Sequence, residues 1–204
     1  MANHSLVLVF DLGGVLSDFR GAELIARTSK RPLTLQEVRE TWLPLVRDFE
    51  VGACSEAQFA DRVVSAYELT LDSAAFIAAF REAAAGFYEG ALTLIGQLRD
   101  RYRVISLSNT NGVQWPEVRG HLAEYDPFHA HFPSHVSGYH KPDSRAYEAV
   151  SSVHDAGSRF CFFDDRSDNV AAAKQHGWDA RLVRGVGDAR QACVELGLLE
   201  SARG

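Results

Sequence analysis

The chain of 204 residues has only three cysteines, one methionine and six prolines. Cys54, Cys161 and Cys193 are few, far apart and odd in number, which excludes a disulfide framework. A reducing setting, the cytoplasm, is expected. No apolar run approaches the ~18 residues of a membrane span. The opening MANHSLVLVFDLGG has no basic stretch and is interrupted by Asp11, which argues against a signal peptide. Basic residues are in the minority, 21 Lys plus Arg against 27 Asp plus Glu, for a net charge of -6. That balance speaks against a nucleic-acid surface, which normally carries a basic patch. Repeats and low-complexity tracts are missing too, and the Ala-rich stretch 74–85 reads as plain helix.

What is present is the composition of an ordinary globular protein, 46% hydrophobic and 24% charged. Four apolar runs, 6–10, 104–107, 160–163 and 180–183, are continuous rather than alternating, as in strands buried on both faces of a parallel sheet. A fifth strand is expected around 132–136. Helical spacing lies between them, at Leu92, Ile95 and Leu98 and again over 146–153. Alternation of strand and helix predicts an α/β fold with a doubly wound parallel sheet.

One interval departs from that rhythm. Between the first run and Val104 the sequence offers no convincing strand, only helical patterns over 22–28, 35–42, 56–67 and 74–84. Ser55 and Gln58 form a capping box that starts the third, and Pro44 is expected to break or begin a helix in the second. This stretch is too long for an ordinary crossover and reads as a helical cap inserted into the sheet domain. The expected division is 1–16 with 90–204 as core, and 17–89 as α-helical cap domain.

Ligands of open α/β sheets bind beyond the carboxyl ends of the strands. Three of the runs lead there to Asp11, Ser108 and the pair Asp164-Asp165, and Lys141 precedes a helix directed toward the same edge. One Asp after a strand is usually a helix cap; this many polar residues at successive strand ends is a set. Clustered carboxylates need a cation between them, and hard oxygen ligands suit Mg²⁺. A carboxylate beside such an ion can attack phosphorus. Ser108 and the amides after it can hold phosphoryl oxygens, while Lys141 offsets the charge that develops.

VFDLGGVL with Asp11, SLSN with Ser108, HKPD with Lys141, and FFDDRSDN with Asp164, Asp165 and Asn169 resemble the four motifs of the haloacid dehalogenase-like (HAD) hydrolases. The order and spacing resemble the helical-cap subfamily, and FDLGGV, LSNTN and FFDD look most like bacterial sugar phosphatases of the α-glucose-1-phosphatase type. The resemblance implies a HAD-like Rossmannoid core and a Mg²⁺-dependent phosphatase for a small phosphorylated metabolite. Asp11 would be nucleophile and metal ligand, and Gly13 would offer the metal its backbone carbonyl. Asp165 would bind the metal, with Asp164 and Asn169 supporting it; the opposite assignment of Asp164 as direct ligand stays open. Ser108 and Asn109 would bind the phosphoryl group, and Lys141 would steady both it and Asp11.

The departure is Gly13. Most phosphatases of this superfamily carry there an Asp that acts as general acid and base. Such help contributes about 10²–10⁴-fold, so its loss should hurt poor leaving groups most and favour sugar 1-phosphates or similar activated esters. His140 is an alternative acid, weighed against a solvated loop histidine. Two rival functions remain: a metal-independent haloacid dehalogenase-type hydrolase, and a ligand-binding or regulatory protein with weakened turnover.

Other residues carry less. His121, His129, His131, His135 and His140 have no recognised zinc spacing and read as a histidine-rich surface loop. Asp18 reads as a turn residue, and Cys161 as packing. Trp42, Arg47, Phe49 and Tyr88 divide between cap core and substrate pocket, and Arg20, nearest the first motif, is the first choice for touching substrate. Monomer and homodimer are both open.

Overall fold

The computed structural model describes residues 3–200. In chain order, β1 (Asn3–Phe10) leads to β2 (Ser17–Phe19), four helices α1 (Gly21–Thr28), α2 (Leu35–Glu50), α3 (Glu56–Ala66) and α4 (Ser73–Glu82), and then β3 (Ala84–Phe87). The chain continues through α5 (Ala91–Arg99), β4 (Tyr102–Ser108), α6 (Trp115–His121), β5 (Ala130–Pro133) and the short α7 (Ser134–Ser137). It closes with α8 (Ser144–Ser151), β6 (Arg159–Asp164), α9 (Ser167–Gln175), β7 (Asp179–Leu182) and α10 (Gly185–Glu195).

Five strands form one parallel sheet in the order β5-β4-β1-β6-β7. Its central strands are buried on both sides, as their unbroken apolar runs require: in β6 only Arg159 is exposed, whereas the edge strand β7 leaves Asp179 and Leu182 open to solvent. Alternate residues of β1 supply opposite faces. Leu8 and Phe10 pack with α5 and α10, while Val7 and Val9 pack with Tyr147, Val170 and Trp178 on the other side. The expected doubly wound sheet is therefore present.

Register brings the strand ends level. Phe10 pairs with both Phe163 and Ser106, and the Phe10 and Phe163 rings stack at 4.5 Å. The Asp11 amide then donates to the Phe163 carbonyl at 2.9 Å. Asp11, Ser108 and Asp164 therefore emerge along one edge.

The inserted helices form a layer with its own core, centred on Phe59, which contacts Trp42, Phe49, Phe76 and Phe80. Reciprocal capping boxes start α2 (Thr34 with Glu37) and α3 (Ser55 with Gln58). Three expectations need correction. Pro44 lies inside α2 rather than ending it, because Val38 on one side and Val46 and Phe49 on the other keep both halves seated in the core. The interval is not free of strands: β2 and β3 pair antiparallel where the chain leaves and re-enters the sheet domain. They are too short to show a periodicity. The fifth strand falls at Ala130–Pro133, and His135 and Val136 belong to α7. Among the described residues, no helix is long and apolar enough to cross a membrane.

Candidate active site

Lys141 is the hub of the sheet edge. It is 1% exposed, and its Nζ lies 2.7 Å from Asp164, 3.0 Å from Asp11 and 2.8 Å from the Leu107 carbonyl that accepts from it. Asp164 is fully buried and saturated: it also accepts from Asn169 Nδ2 at 3.0 and 3.1 Å and from the Arg166 amide at 2.9 Å. Asp11 accepts from the Leu12 amide at 2.7 Å. Asp165 faces the cavity beyond the strand ends, and Gly14 makes room for it. A Cβ at Gly14 would sit 2.5 Å from the Asp165 carboxylate, and the backbone there has φ +76. No other residue type fits both demands.

The charges do not balance. Carboxylate oxygens of Asp11, Asp164 and Asp165 lie within 4.8 Å of one another, against one ammonium. Burial pushes the Asp11 carboxyl up, Lys141 opposes this, and Asp164 and Asp165 add to it. Asp165 is raised for the same reasons, burial first and then Asp164. Burial disfavours the Lys141 ammonium, but Asp11 and Asp164 outweigh it and hold its pKa above the ordinary lysine value. Two carboxylates in excess, hard oxygen donors and a buried Asn169 Oδ1 without a partner fit a hydrated divalent cation. Asp164 is already consumed by Lys141 and Asn169, so Asp11 and Asp165 are the carboxylates left with free donor capacity.

A cavity of about 610 Å³ covers this cluster. The sheet edge contributes Asp11, Gly13, Ser108, Asn109, Asp165 and Asn169, and α2 contributes Arg39, Trp42, Leu43, Val46 and Glu50. Those α2 positions follow helical spacing (39, 42, 43, 46, 50), a signal available in the sequence but masked by the expected break at Pro44. Trp42 serves both roles, facing the cavity and packing on Phe59 and Phe80, whereas Phe49 is core and Arg47 is exposed. Tyr88 and Asp18 also line the wall. Arg166 and Arg184 were not anticipated; they enter from the loops after β6 and β7.

Three expectations change here. Arg20 does not line the cavity: it bonds Asp18 at 2.8 Å with its side chain 65% exposed. The Asn109 side chain is occupied by the Lys141 peptide, accepting from its N–H at 2.8 Å and donating to its carbonyl at 3.0 Å, so it is a support of the Lys141 backbone. The histidines do not form a surface loop. His140 is buried in the cavity wall, 2.8 Å from Glu50, and half-buried His131 bridges Ser106 and Asp126; only His121 and His129 are exposed. A second cavity, of about 780 Å³, opens at the opposite end of the sheet beside Trp178 and contains none of the acidic cluster.

No protein-family model matches the chain. Solved structures do. A HAD family enzyme from Bacteroides thetaiotaomicron, in complex with magnesium and inorganic phosphate, aligns with TM-score 0.66 at 24% identity, over 87% of this chain and 93% of its own. A predicted HAD-like family hydrolase from Porphyromonas gingivalis aligns with TM-score 0.70 at 23% identity, over 96% and 98%. A dehalogenase aligns with TM-score 0.62 at 16% identity, over 90% and 86%. At such identities the likeness concerns architecture, and in architecture this chain has the fold of the HAD-family hydrolases.

Proposed function

We propose that this chain is a Mg²⁺-dependent phosphatase acting on a small phosphorylated metabolite, a sugar 1-phosphate or similarly activated ester. The observation that carries the reading is the buried Asp11–Lys141–Asp164 group with Asp165 beside it, opening into a cavity large enough for such a ligand. Magnesium between Asp11, Asp165 and the Gly13 carbonyl would supply positive charge against the phosphoryl oxygens. The bound phosphate in the Bacteroides enzyme is consistent with this.

The protein's own groups supply the rest. An Asp11 oxygen attacks phosphorus, the ester P–O bond breaks, and the leaving oxygen departs with the bonding pair. Lys141 holds the Asp11 carboxylate in place, and Ser108 with the Asn109 backbone orients the phosphoryl oxygens. Water then cleaves the aspartyl-phosphate, releasing phosphate and restoring Asp11. The helices over 17–89 act as the cap, with Trp42 and Arg39 placed to meet the organic part of the substrate.

Gly13 decides the substrate class, because it offers the leaving oxygen no proton. A Cβ at Gly13 would meet nothing within 4 Å, so an acid can be introduced there without a clash. The test is a phosphatase panel with and without Mg²⁺ on the wild type, Asp11→Asn and Gly13→Asp. Phosphate release from sugar 1-phosphates that needs both Mg²⁺ and Asp11 is expected. Gly13→Asp should raise the rate on alkyl phosphates such as glycerol phosphate by about 10²-fold or more. Equal wild-type rates on both ester classes would refute the proposed selectivity. Halide release from haloacids without metal would instead make the chain a dehalogenase.

A further inference from the structure

Helix α2 ends at Glu50, where the helical layer meets the sheet domain. The Glu50 carboxylate Oε2 lies 2.8 Å from His140 Nε2, and its backbone carbonyl accepts the Ser134 hydroxyl at 2.6 Å. His140 Nδ1 lies 3.2 Å from Asn109 Nδ2, and Asn109 grips the Lys141 peptide from both sides. An unbroken run of hydrogen bonds thus joins the inserted helices to the lysine beneath Asp11. It is shielded from water: the His140 side chain is 4% exposed and that of Glu50 13%.

The partners fix where the ring proton resides. Asn109 Oδ1 faces the Lys141 N–H, so the amide presents Nδ2, a donor, to His140. Nδ1 is therefore the accepting nitrogen, and Nε2 carries the hydrogen donated to Glu50. Both nitrogens are committed, so His140 has no proton aimed at a leaving group and does not replace the acid missing at Gly13.

We propose that Glu50 and His140 are positioning residues that link seating of the helical layer to the placement of Lys141 against Asp11. This rests on the phosphatase reading of the Asp11 site. With the layer seated, Glu50 orients the imidazole, the imidazole orients Asn109, and Asn109 fixes the Lys141 backbone. Lys141 contacts the attacking carboxylate, so the effect belongs in kcat more than in KM.

The experiment uses p-nitrophenyl phosphate and Mg²⁺ with the full chain and four variants: Glu50→Ala, Glu50→Gln, His140→Ala and the double Glu50→Ala/His140→Ala. Glu50→Ala should lower kcat by about 10-fold while KM moves less than about 3-fold. Glu50→Gln keeps an accepting oxygen and should stay within about 3-fold of wild type, and the double variant should be no slower than His140→Ala. Imidazole ¹⁵N shifts give a readout independent of turnover: the Nε2–H tautomer in the wild type, with the Nε2 resonance shifted in Glu50→Ala as its accepting carboxylate is lost. Wild-type kcat in Glu50→Ala would overturn the proposal. So would a loss that Gln does not rescue, multiplicative losses in the double variant, or an Nδ1–H ring in the wild type. Should the wild type not turn over at all, the phosphatase reading fails, and the tautomer still judges the hydrogen-bond chain by itself.

Discussion

At the sheet edge, Lys141 sits 3.0 Å from Asp11 and 2.7 Å from Asp164, all three side chains withdrawn from solvent. In the helical layer, Phe49 and Phe59 stack at 4.4 Å, and Phe76 and Phe80 at 5.5 Å, among apolar neighbours. One region concentrates charge where charge costs most, and the other removes apolar area from water, which is how folded chains gain most of their stability. The edge is poised for chemistry at the expense of stability. The aromatic layer contributes stability and touches the chemistry chiefly through Trp42 and Glu50.

That contrast breaks if rate and stability move together. Asp11→Asn should lower phosphatase turnover by about 10⁴-fold or more, and its melting temperature should equal or exceed the wild type because one buried carboxylate is removed. A parallel fall in melting temperature would mean that Asp11 is structural. Phe59→Ala should do the reverse. It leaves a void among four rings and should cost about 3–5 kcal/mol in urea denaturation, with turnover per folded molecule little changed.

Metal sharpens the comparison. At a Mg²⁺ concentration 100 times its Kd, linkage adds about 2.7 kcal/mol of stability. Thermal melts should rise with Mg²⁺ in the wild type, and Asp165→Ala should abolish the rise without lowering the apo melting temperature, since burial and Asp164 already disfavour the ionised Asp165.

The smallest effect lies at Asp126, which bonds Arg119 at 2.6 Å and His131 at 3.0 Å. Burial tends to raise the Asp126 carboxyl, but the bonds from His131 and Arg119 prevail and hold it below the ordinary 3.8. Burial pushes the His131 ring below 6.5. The neutral ring therefore favours the folded state fully above pH 6.5, and the ionised Asp126 does so above pH 3.8; both contributions fade as acid is added. Asp126→Asn should flatten the low end of the stability profile below pH 4, by under about 1 kcal/mol. A profile unchanged by the substitution would remove Asp126 from the account.

The two regions also differ in how far the sequence discloses them. The edge is written locally: Asp11, Ser108 and Asp164 each end a short apolar run, and parallel register then aligns them. Lys141, remote in sequence from all three, ends no apolar run; its place just before a helix directed toward the same edge and its positive charge make it legible, and the family pattern adds its contact with Asp11. The helical layer is written in periodicity, which located α1, α3 and α4 well and was misread in α2 because Pro44 looked like a terminator. Hydrogen bonds between distant residues left no trace. His140 looks like any loop histidine until Glu50, 90 positions earlier, is placed beside it. Arg20 failed for the opposite reason: closeness in sequence to the first motif did not survive its attraction to Asp18.

The paired strands β2 and β3 have one more consequence. Ser17 lies opposite Phe87, so the chain leaves the sheet domain and returns to it at nearly the same point. Facing residues of such a ribbon are only about 5 Å apart, a gap that a tight turn can bridge. Everything between the two strands therefore joins the core at a single junction: the length of this stretch can vary without re-routing the five-stranded sheet, provided that Trp42 and Glu50, which reach back to the cavity, keep their places.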